Sequence, residues 1–280
     1  MTHRQIVISG IAVILLLFAL IASFFFRTEV KRVRQLGTAK RIDIGGYKLQ
    51  IDCQGKGIPV VVMDAGLANG INTWDRVVTE IAKSTLVCTY DRAGIGGSDP
   101  GPAPRTSQQI IQELDNLLEK AQVASPYVLV GHSFGALNIR LYASRHPEKV
   151  AGMVLVDPSH ENQTKRFAEF MEPEEREIFL RYEKGENPER VDVIASSMQI
   201  QSSPPIQQMP LVVITAAFED WLPQTNQIEK ARQELQAELG RLVSGGVQVK
   251  AIGSGHYVQQ DRPELVIQAV QYVVKEARMK

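Results

Sequence analysis

From Tyr127 to Arg140 the sequence reads Tyr-Val-Leu-Val-Gly-His-Ser-Phe-Gly-Ala-Leu-Asn-Ile-Arg. Its first four residues favour a buried strand, and the residues from Phe134 onward favour a helix with an apolar face. Glycines stand two residues before and two residues after Ser133, and residues this small let the strand and the helix approach closely. The stretch therefore predicts a strand, a sharp turn and a helix, with Ser133 in a strained conformation on the turn.

A strand, turn and helix of this kind form a nucleophile elbow, which exposes a serine hydroxyl. The free N–H groups at the start of the helix can stabilise an anionic intermediate. A serine hydroxyl is a poor nucleophile near neutral pH unless a base lies within hydrogen-bonding distance. Of the five histidines, His256 is the best candidate, because its Gly-Ser-Gly-His-Tyr loop follows the last predicted strand. We therefore predict Ser133 as the nucleophile and His256 as the general base.

Short β-branched runs alternate with amphipathic helices through most of the chain, which is typical of an α/β fold with a largely parallel sheet. Strands are predicted at 41–44, 48–53, 59–63, 86–90, 127–130, 152–157, 211–215 and 247–252. Helices are predicted at 72–82, 107–121, 134–145, 225–244 and 263–278. Residues 41–157 and 210–280 form the predicted core, and the polar, helix-favouring residues 158–209 form a predicted insertion over the sheet.

Further motifs agree with the elbow in their order along the chain. Met63-Asp64-Ala65-Gly66 follows the third predicted strand, and Asp91-Arg92-Ala93-Gly94-Ile95-Gly96-Gly97-Ser98 follows the fourth. With the elbow and the histidine loop, these motifs resemble the α/β-hydrolase superfamily from about Lys40 to the C-terminus. The resemblance implies the α/β-hydrolase fold, with a mostly parallel eight-stranded sheet flanked by helices and a helical lid at 158–209.

By that resemblance, the backbone N–H groups of Phe134 and Leu67 form the oxyanion hole. The chain departs from the family at the oxyanion loop, where many members have His-Gly and this sequence has Ala65-Gly66 preceded by Asp64. The register of the loop, and with it the assignment of Leu67, stays open. Asp91 is predicted to order its turn rather than to take part in the chemistry.

The third member of a catalytic triad is a carboxylate that orients the histidine and stabilises its cation. Asp157 ends the sixth predicted strand, and its Val-Asp-Pro-Ser-His-Glu context resembles a hydrolase subgroup that supplies the acid there. Glu219 and Asp220 follow the seventh predicted strand, which is the more usual location in the superfamily. We predict Asp157 and keep Glu219 and Asp220 as alternatives.

Residues 6–26 carry no ionisable side chain. A helix of this length crosses a hydrocarbon layer of about 30 Å, so we predict a single-pass transmembrane anchor, in the cell membrane, after an N-terminal tail at 1–5. Residues 27–40 form a predicted linker that is rich in lysine and arginine. Basic residues favour the cytoplasmic side, but the short N-terminus also carries Arg4, so the side of the catalytic domain stays open.

The overall composition excludes some partners. The 31 basic and 31 acidic residues balance, so no net charge attracts nucleic acid. Only two cysteines occur, Cys53 and Cys88, which offer no zinc-binding spacing. They are either small buried apolar residues or a disulfide, and the strand order of the superfamily implies that they lie on adjacent strands.

These observations predict a membrane-anchored serine hydrolase that cleaves a carboxylic ester or a related acyl bond through an acyl-enzyme. Its expected partners are a small-molecule acyl substrate and the lipid bilayer, and neither a metal nor a cofactor is expected. Two alternatives remain: a catalytically silent receptor or scaffold with a hydrolase fold, and an acyltransferase that uses an acceptor other than water.

Overall fold

A computed structural model of the chain describes residues 39–217 and 227–279. Eight strands form one sheet with the order β1-β2-β4-β3-β5-β6-β7-β8, in which only the β1–β2 and β2–β4 pairs are antiparallel. The strands are β1 (Lys40–Asp43), β2 (Lys48–Gln54), β3 (Val60–Asp64), β4 (Val87–Tyr90), β5 (Tyr127–His132), β6 (Val150–Val156), β7 (Leu211–Ala217) and β8 (Val247–Ile252). The prediction of a mostly parallel eight-stranded sheet is confirmed.

Helices cover both faces of the sheet. They are α1 (Asp75–Ile81), α2 (Ser107–Lys120), α3 (Phe134–Arg145), α4 (Gln163–Ala168), α5 (Pro173–Glu183), α6 (Val193–Gln201), α7 (Gln227–Leu239), α8 (Val258–Asp261) and α9 (Pro263–Arg278). The helix predicted at 72–82 begins as a 3₁₀ turn, Ile71–Trp74, before α1. The helix predicted to reach residue 244 ends at Leu239, before Gly240, because glycine is a poor helix former.

Alternate residues of the central strands enter two separate hydrophobic clusters. In β5, Tyr127 and Leu129 join the cluster that contains α2 and α3, whereas Val128 and Val130 join the cluster that contains α1 and α9. This alternation follows from the two-residue period of a strand that is covered on both faces. The central strands are therefore buried on both sides, and the candidate site residues Ser133, Asp157 and His256 follow strands at the carboxyl edge of the sheet.

Residues 158–209, between β6 and β7, contain the helices α4, α5 and α6 and no strand of the sheet. A single parallel bridge joins Val191 to Arg105, in the segment before α2. Arg105 is buried and forms a salt bridge of 2.7 Å with Glu113 of α2. The chain that leads into α2 is thus one place where the insertion contacts the core.

The predicted N-terminal tail, the transmembrane anchor at 6–26 and most of the basic linker lie outside the described residues. Among the described residues, no helix combines the length and the apolar character that crossing a bilayer requires.

Cys53 of β2 and Cys88 of β4 face each other directly in the antiparallel pair and form a disulfide. Of the two interpretations left open by the sequence, the structure therefore has the disulfide. The bond closes a loop with a sequence separation of 35 residues and joins the antiparallel edge of the sheet to its parallel centre.

Candidate active site

Ser133 occupies the turn between β5 and α3, with φ of 51° and ψ of −121°. A Cβ atom on Gly131 would lie 2.7 Å from Ala136 Cα, and one on Gly135 would lie 2.3 Å from the backbone oxygen of Asp64. Both contacts are too close for any side chain, so the two glycines of the motif are required by the packing of α3 against β5 and β3. This geometry is the sharp turn that the sequence predicts, with Ser133 on the turn.

The loop that follows β8 brings His256 against Asp157. The Nδ1 atom of His256 lies 2.7 Å from Asp157 Oδ2, so Nδ1–H donates to the carboxylate and Nε2 is left as an acceptor. Asp157 directly follows β6 and has a φ of 38°, in the left-handed region. Its side chain is almost fully buried, whereas the His256 side chain is 48% exposed. The carboxylate is therefore fixed, and the imidazole lies at the edge of the solvent.

The second oxygen of Asp157 is held by three other groups. Asp157 Oδ1 accepts hydrogen bonds from the backbone N–H of Ala216 at 2.9 Å and from Gln236 Nε2 at 3.1 Å, and it pairs with Arg232. Burial acts to raise the pKa of Asp157, but the hydrogen bond from His256 and the charge of Arg232 outweigh it, so the pKa lies below its usual value. Asp157 is therefore ionised, as a group that stabilises an imidazolium must be.

Arg232 and Gln236 are site residues that the sequence does not predict. Both lie on α7 and are four residues apart, so they occupy one face of the helix. A polar pair on the otherwise buried face of the helix predicted at 225–244 was the available signal. Nothing in the sequence indicates that this face meets the end of β6.

Ser133 and His256 line the same cavity, which has a volume of about 240 Å³ and also contacts Leu67 and Phe134. Both residues also line a second cavity of about 730 Å³ on the side of Arg232. Among the described residues, Ser133 Oγ forms no hydrogen bond with His256, and such bonds are often formed only when a substrate is bound. The structure brings the two residues together at one cavity without pairing them.

His132, within the elbow, supports the histidine loop. Its Nε2 lies 2.9 Å from the backbone oxygen of His256, so Nε2–H donates to that carbonyl. Burial, followed by the nearby His256, lowers the pKa of His132 to about 4, so its ring is neutral near neutral pH. His132 thus positions the backbone of His256. The elbow motif does not indicate this role.

A buried arginine holds the predicted oxyanion loop. Arg92 Nη1 donates to the backbone oxygen of Ala65 at 2.6 Å, and Arg92 Nη2 donates to that of Gly66 at 2.6 Å. The same guanidinium pairs with Asp64 and with Glu189 of the insertion, whose Oε2 lies 2.9 Å from Arg92 Nε. Burial acts to lower the pKa of Arg92, but these two carboxylates raise it well above its usual value, so Arg92 is charged.

Glu189 and Asp64 extend this network to the neighbouring elements. Glu189 Oε1 accepts a hydrogen bond of 2.5 Å from the backbone N–H of Ala68, the residue after Leu67. Asp64 Oδ2 accepts one of 3.0 Å from Asn138 Nδ2 of α3. The aspartate that departs from the family pattern is therefore a partner of Arg92. Leu67 lies between two residues whose backbone groups the network holds, and as the first residue of α3, Phe134 has an N–H without a partner in the helix.

A further histidine, His160, and the remaining carboxylates considered in the sequence analysis have other surroundings. His160 lines the smaller cavity, and its Nδ1 accepts a hydrogen bond of 3.0 Å from the backbone N–H of Asn162. Asp91 accepts a hydrogen bond of 2.9 Å from the N–H of Gly97 in its own turn, as predicted for a residue that orders the turn. The alternative acids Glu219 and Asp220 lie in the segment 218–226, outside the described residues.

The family model for the alpha/beta hydrolase fold matches residues 59–235, which is more than half of the chain. The uncharacterized protein YqjL of Bacillus subtilis is 40% identical over 99 residues, a match that covers 35% of this chain and 39% of that protein. An AB hydrolase superfamily protein of Gibberella zeae is 25% identical over 281 residues and is matched over 79% of this chain and 87% of its own length.

Among solved structures, a thermophilic esterase from Thermogutta terrifontis superposes with a TM-score of 0.61 at 20% identity. The match covers 86% of this chain and 99% of the esterase, and at this identity it shows a shared fold. The chain covers less than half of the length of the Bacillus relative, so that relative says little about the whole protein. The family model, the strand order and the elbow agree, and the chain belongs to the α/β-hydrolase fold family.

Proposed function

We propose that this protein is a serine hydrolase that cleaves a carboxylic ester or a related acyl bond. The observation that carries the proposal is the hydrogen bond of 2.7 Å between His256 and buried Asp157, at a cavity that Ser133 also lines. A fixed carboxylate, an imidazole with a free Nε2 and a hydroxyl on a strained turn are the parts that acyl transfer through a covalent intermediate requires.

In the proposed reaction, Ser133 Oγ attacks the ester carbonyl while His256 Nε2 takes the hydroxyl proton. The C=O electron pair moves onto the oxygen, which the N–H groups of Leu67 and Phe134 stabilise. The intermediate then collapses, the C–O bond to the alcohol breaks, and His256 returns the proton to the leaving alcohol. Water, deprotonated by His256, attacks the acyl-enzyme in the same way and releases the acid and Ser133. Besides the ester and one water molecule, the steps use side chains and backbone groups of this chain.

The proposal is tested with a panel of short and medium-chain p-nitrophenyl esters and with a fluorophosphonate probe. We expect turnover of at least one ester and covalent labelling that peptide mapping places on Ser133. Properly folded protein that neither turns over an ester nor reacts with the probe would instead favour a silent hydrolase-fold receptor. Ester turnover that rises on addition of alcohols or amines, with formation of the new acyl product, would favour an acyltransferase.

Glu189→Gln is expected to lower kcat about tenfold or more, with little change in KM. The physical reason is that the neutral amide no longer pairs with Arg92, so the guanidinium holds the loop around Leu67 less firmly and a donor of the oxyanion hole is displaced. The measurement is kcat and KM for the best p-nitrophenyl ester, together with urea unfolding.

Glu113→Gln is the matched control, because Glu113 is also a buried partner of an arginine, Arg105, and lines neither cavity that contains Ser133. Both variants are expected to lose roughly 3 kcal/mol of stability, since each weakens a buried ion pair. Only Glu189→Gln should lower kcat. An equal kcat loss in both variants would mean that the Arg92 network acts through stability alone.

We also propose that residues 6–26 anchor the protein in a membrane and that the catalytic domain faces away from the cytosol. The Cys53–Cys88 disulfide supports this side, because disulfides persist in oxidising compartments and are rare in the cytosol. The basic linker favours the opposite, cytoplasmic side. The disulfide outweighs the linker, since charged flanks bias orientation only statistically.

The redox state of the cysteines tests this orientation. Protein from native membranes, unfolded in urea with maleimide present, is expected to stay unlabelled without reductant and to gain two labels after reduction. Unfolding is necessary because Cys88 is buried in the native protein. Cys53→Ser serves as the positive control, since its lone Cys88 should be labelled without reductant. Full labelling of the unreduced natural protein would place the domain in the cytosol.

A further inference from the structure

The smaller cavity beside Ser133 has an uneven distribution of charge. Of the described residues that line it, Glu183 is the only one with a carboxylate, and none is a lysine or an arginine. Glu183 is the last residue of α5, so this carboxylate is contributed by the insertion rather than by the sheet. The cavity is small, at about 240 Å³, and therefore suits a compact group.

A hydrogen bond orients Glu183, and none of the described basic side chains pairs with it. Thr164 Oγ1 donates a hydrogen bond of 2.6 Å to Glu183 Oε2, and no described basic side chain forms a salt bridge with Glu183. Burial raises the pKa of Glu183 against the hydrogen bond from Thr164, and the carboxylate of Asp192 adds to the rise. A poorly solvated carboxylate without a cationic partner is costly, and a cation brought by a ligand would lower that cost.

Three histidines line the cavity, and none of them pairs with Glu183: His256 is already paired with Asp157, and the other two are neutral. Burial lowers the pKa of His160, which also accepts a hydrogen bond at Nδ1 and is therefore neutral. The pKa of His132 is lowered to about 4, so it is neutral as well. Two tyrosines, Tyr182 and Tyr257, also line the cavity, and the face of an aromatic ring attracts cations.

We infer that the cavity selects substrates whose acyl group carries a compact positive charge, an ammonium or a quaternary ammonium, which Glu183 pairs with while Ser133 attacks the ester carbonyl. This inference rests on the proposed function and names its substrate class. An anionic acyl group would meet the carboxylate of Glu183, and none of the described residues that line the cavity is a lysine or an arginine that could receive it.

The test compares two phenyl esters of the same shape, the cationic trimethylammonioacetate and the neutral 3,3-dimethylbutanoate, at mildly alkaline pH. For each protein, kcat/KM of the cationic ester is divided by kcat/KM of the neutral ester. We expect this ratio to be at least about tenfold higher in the natural protein than in Glu183→Gln, a difference of about 1.4 kcal/mol. The greater intrinsic reactivity of the cationic ester cancels in the comparison.

Glu186→Gln is the matched control. Glu186 lies three residues after Glu183 but is exposed and paired with Arg181, so its loss should leave the ratio unchanged. An equal ratio in the natural protein and in Glu183→Gln would overturn the inference while turnover of the neutral ester upheld the proposed function. Absence of Ser133-dependent turnover of both esters would overturn the proposed function and the inference with it.

A second measurement needs only the natural protein and so does not depend on how a variant folds. Choline and 3,3-dimethylbutan-1-ol have the same shape and differ in charge. We expect choline to inhibit hydrolysis of the neutral ester competitively, with an inhibition constant at least about tenfold lower than that of the alcohol. Equal inhibition by the two compounds would contradict selection of a cation.

Discussion

Ser133→Ala is expected to lower kcat for ester hydrolysis by a factor on the order of 10⁵ and to abolish fluorophosphonate labelling. Alanine removes the attacking oxygen, whereas the φ of 51° at this position is set by the close packing of the glycines at 131 and 135, so the fold should persist. The measurements are kcat with the best ester, probe labelling and urea unfolding. Residual turnover would come from the oxyanion hole and from substrate binding alone.

Ser159→Ala is the control for this variant, because Ser159 is the other serine that lines both cavities next to His256. The Ser159→Ala protein should still be labelled by the fluorophosphonate probe. If Ser159→Ala instead lost the label while Ser133→Ala kept it, the nucleophile would have been assigned to the wrong residue.

Asp157→Asn is expected to lower kcat about 10⁴-fold with little change in KM. The amide of asparagine can donate to His256 Nδ1 and so stabilises the tautomer that carries its proton on Nε2, which cannot accept the proton of Ser133. The amide also fails to stabilise the imidazolium. Stopped-flow or steady-state kinetics on the variant, with circular dichroism to confirm folding, provide the measurement.

Glu219→Gln and Asp220→Asn distinguish Asp157 from the alternative acids, since each removes one carboxylate from the location that is more usual in the superfamily. Both variants should keep kcat within about threefold of the natural protein, because His256 already pairs with Asp157 at 2.7 Å. A kcat loss in Glu219→Gln as large as that expected for Asp157→Asn would move the acid to Glu219.

Asp157→Asn should also weaken the contact between α7 and the end of β6. The carboxylate of Asp157 neutralises part of the charge of Arg232, which retains Glu229 as its other partner at 2.6 Å. A moderate loss of stability, on the order of 1–2 kcal/mol by urea unfolding, is therefore expected beside the kinetic effect. The loss of kcat is the larger effect, and the loss of stability does not account for it.

The features that could be predicted from the sequence are those in which a structure is determined by residues only a few positions away. The elbow is one example, because Gly131, Ser133 and Gly135 specify their own turn whenever a strand precedes them and a helix follows. The strands of the sheet are another, since runs such as 127–130 are apolar on both faces and so indicate burial on both sides. The position of Asp157 directly after a strand, in a context shared with a hydrolase subgroup, was predicted on the same local basis.

The contacts that hold the site join residues far apart in the chain. Arg92, Asp64 and Glu189 lie on three separate segments of the chain and contact one another through Arg92. Arg232 pairs with Asp157, from which it is separated by 75 positions in the sequence. Polar side chains of this kind occur throughout any soluble surface, and their local context does not distinguish a buried ion pair from a solvated charge. Their partners depend on strand order, on helix rotation and on how the insertion lies over the sheet.

The chain's local chemistry thus specified a strand, a strained serine and a helix, together with the histidine and aspartate that follow later strands. Burial of those elements against one another then selected the partners, because a charge removed from water must find a counter-charge or a hydrogen bond wherever the packing places one. The Arg92 network, the support of Asp157 by α7 and the cavity that Glu183 lines together with Ser133 all arise at that stage, when distant segments meet.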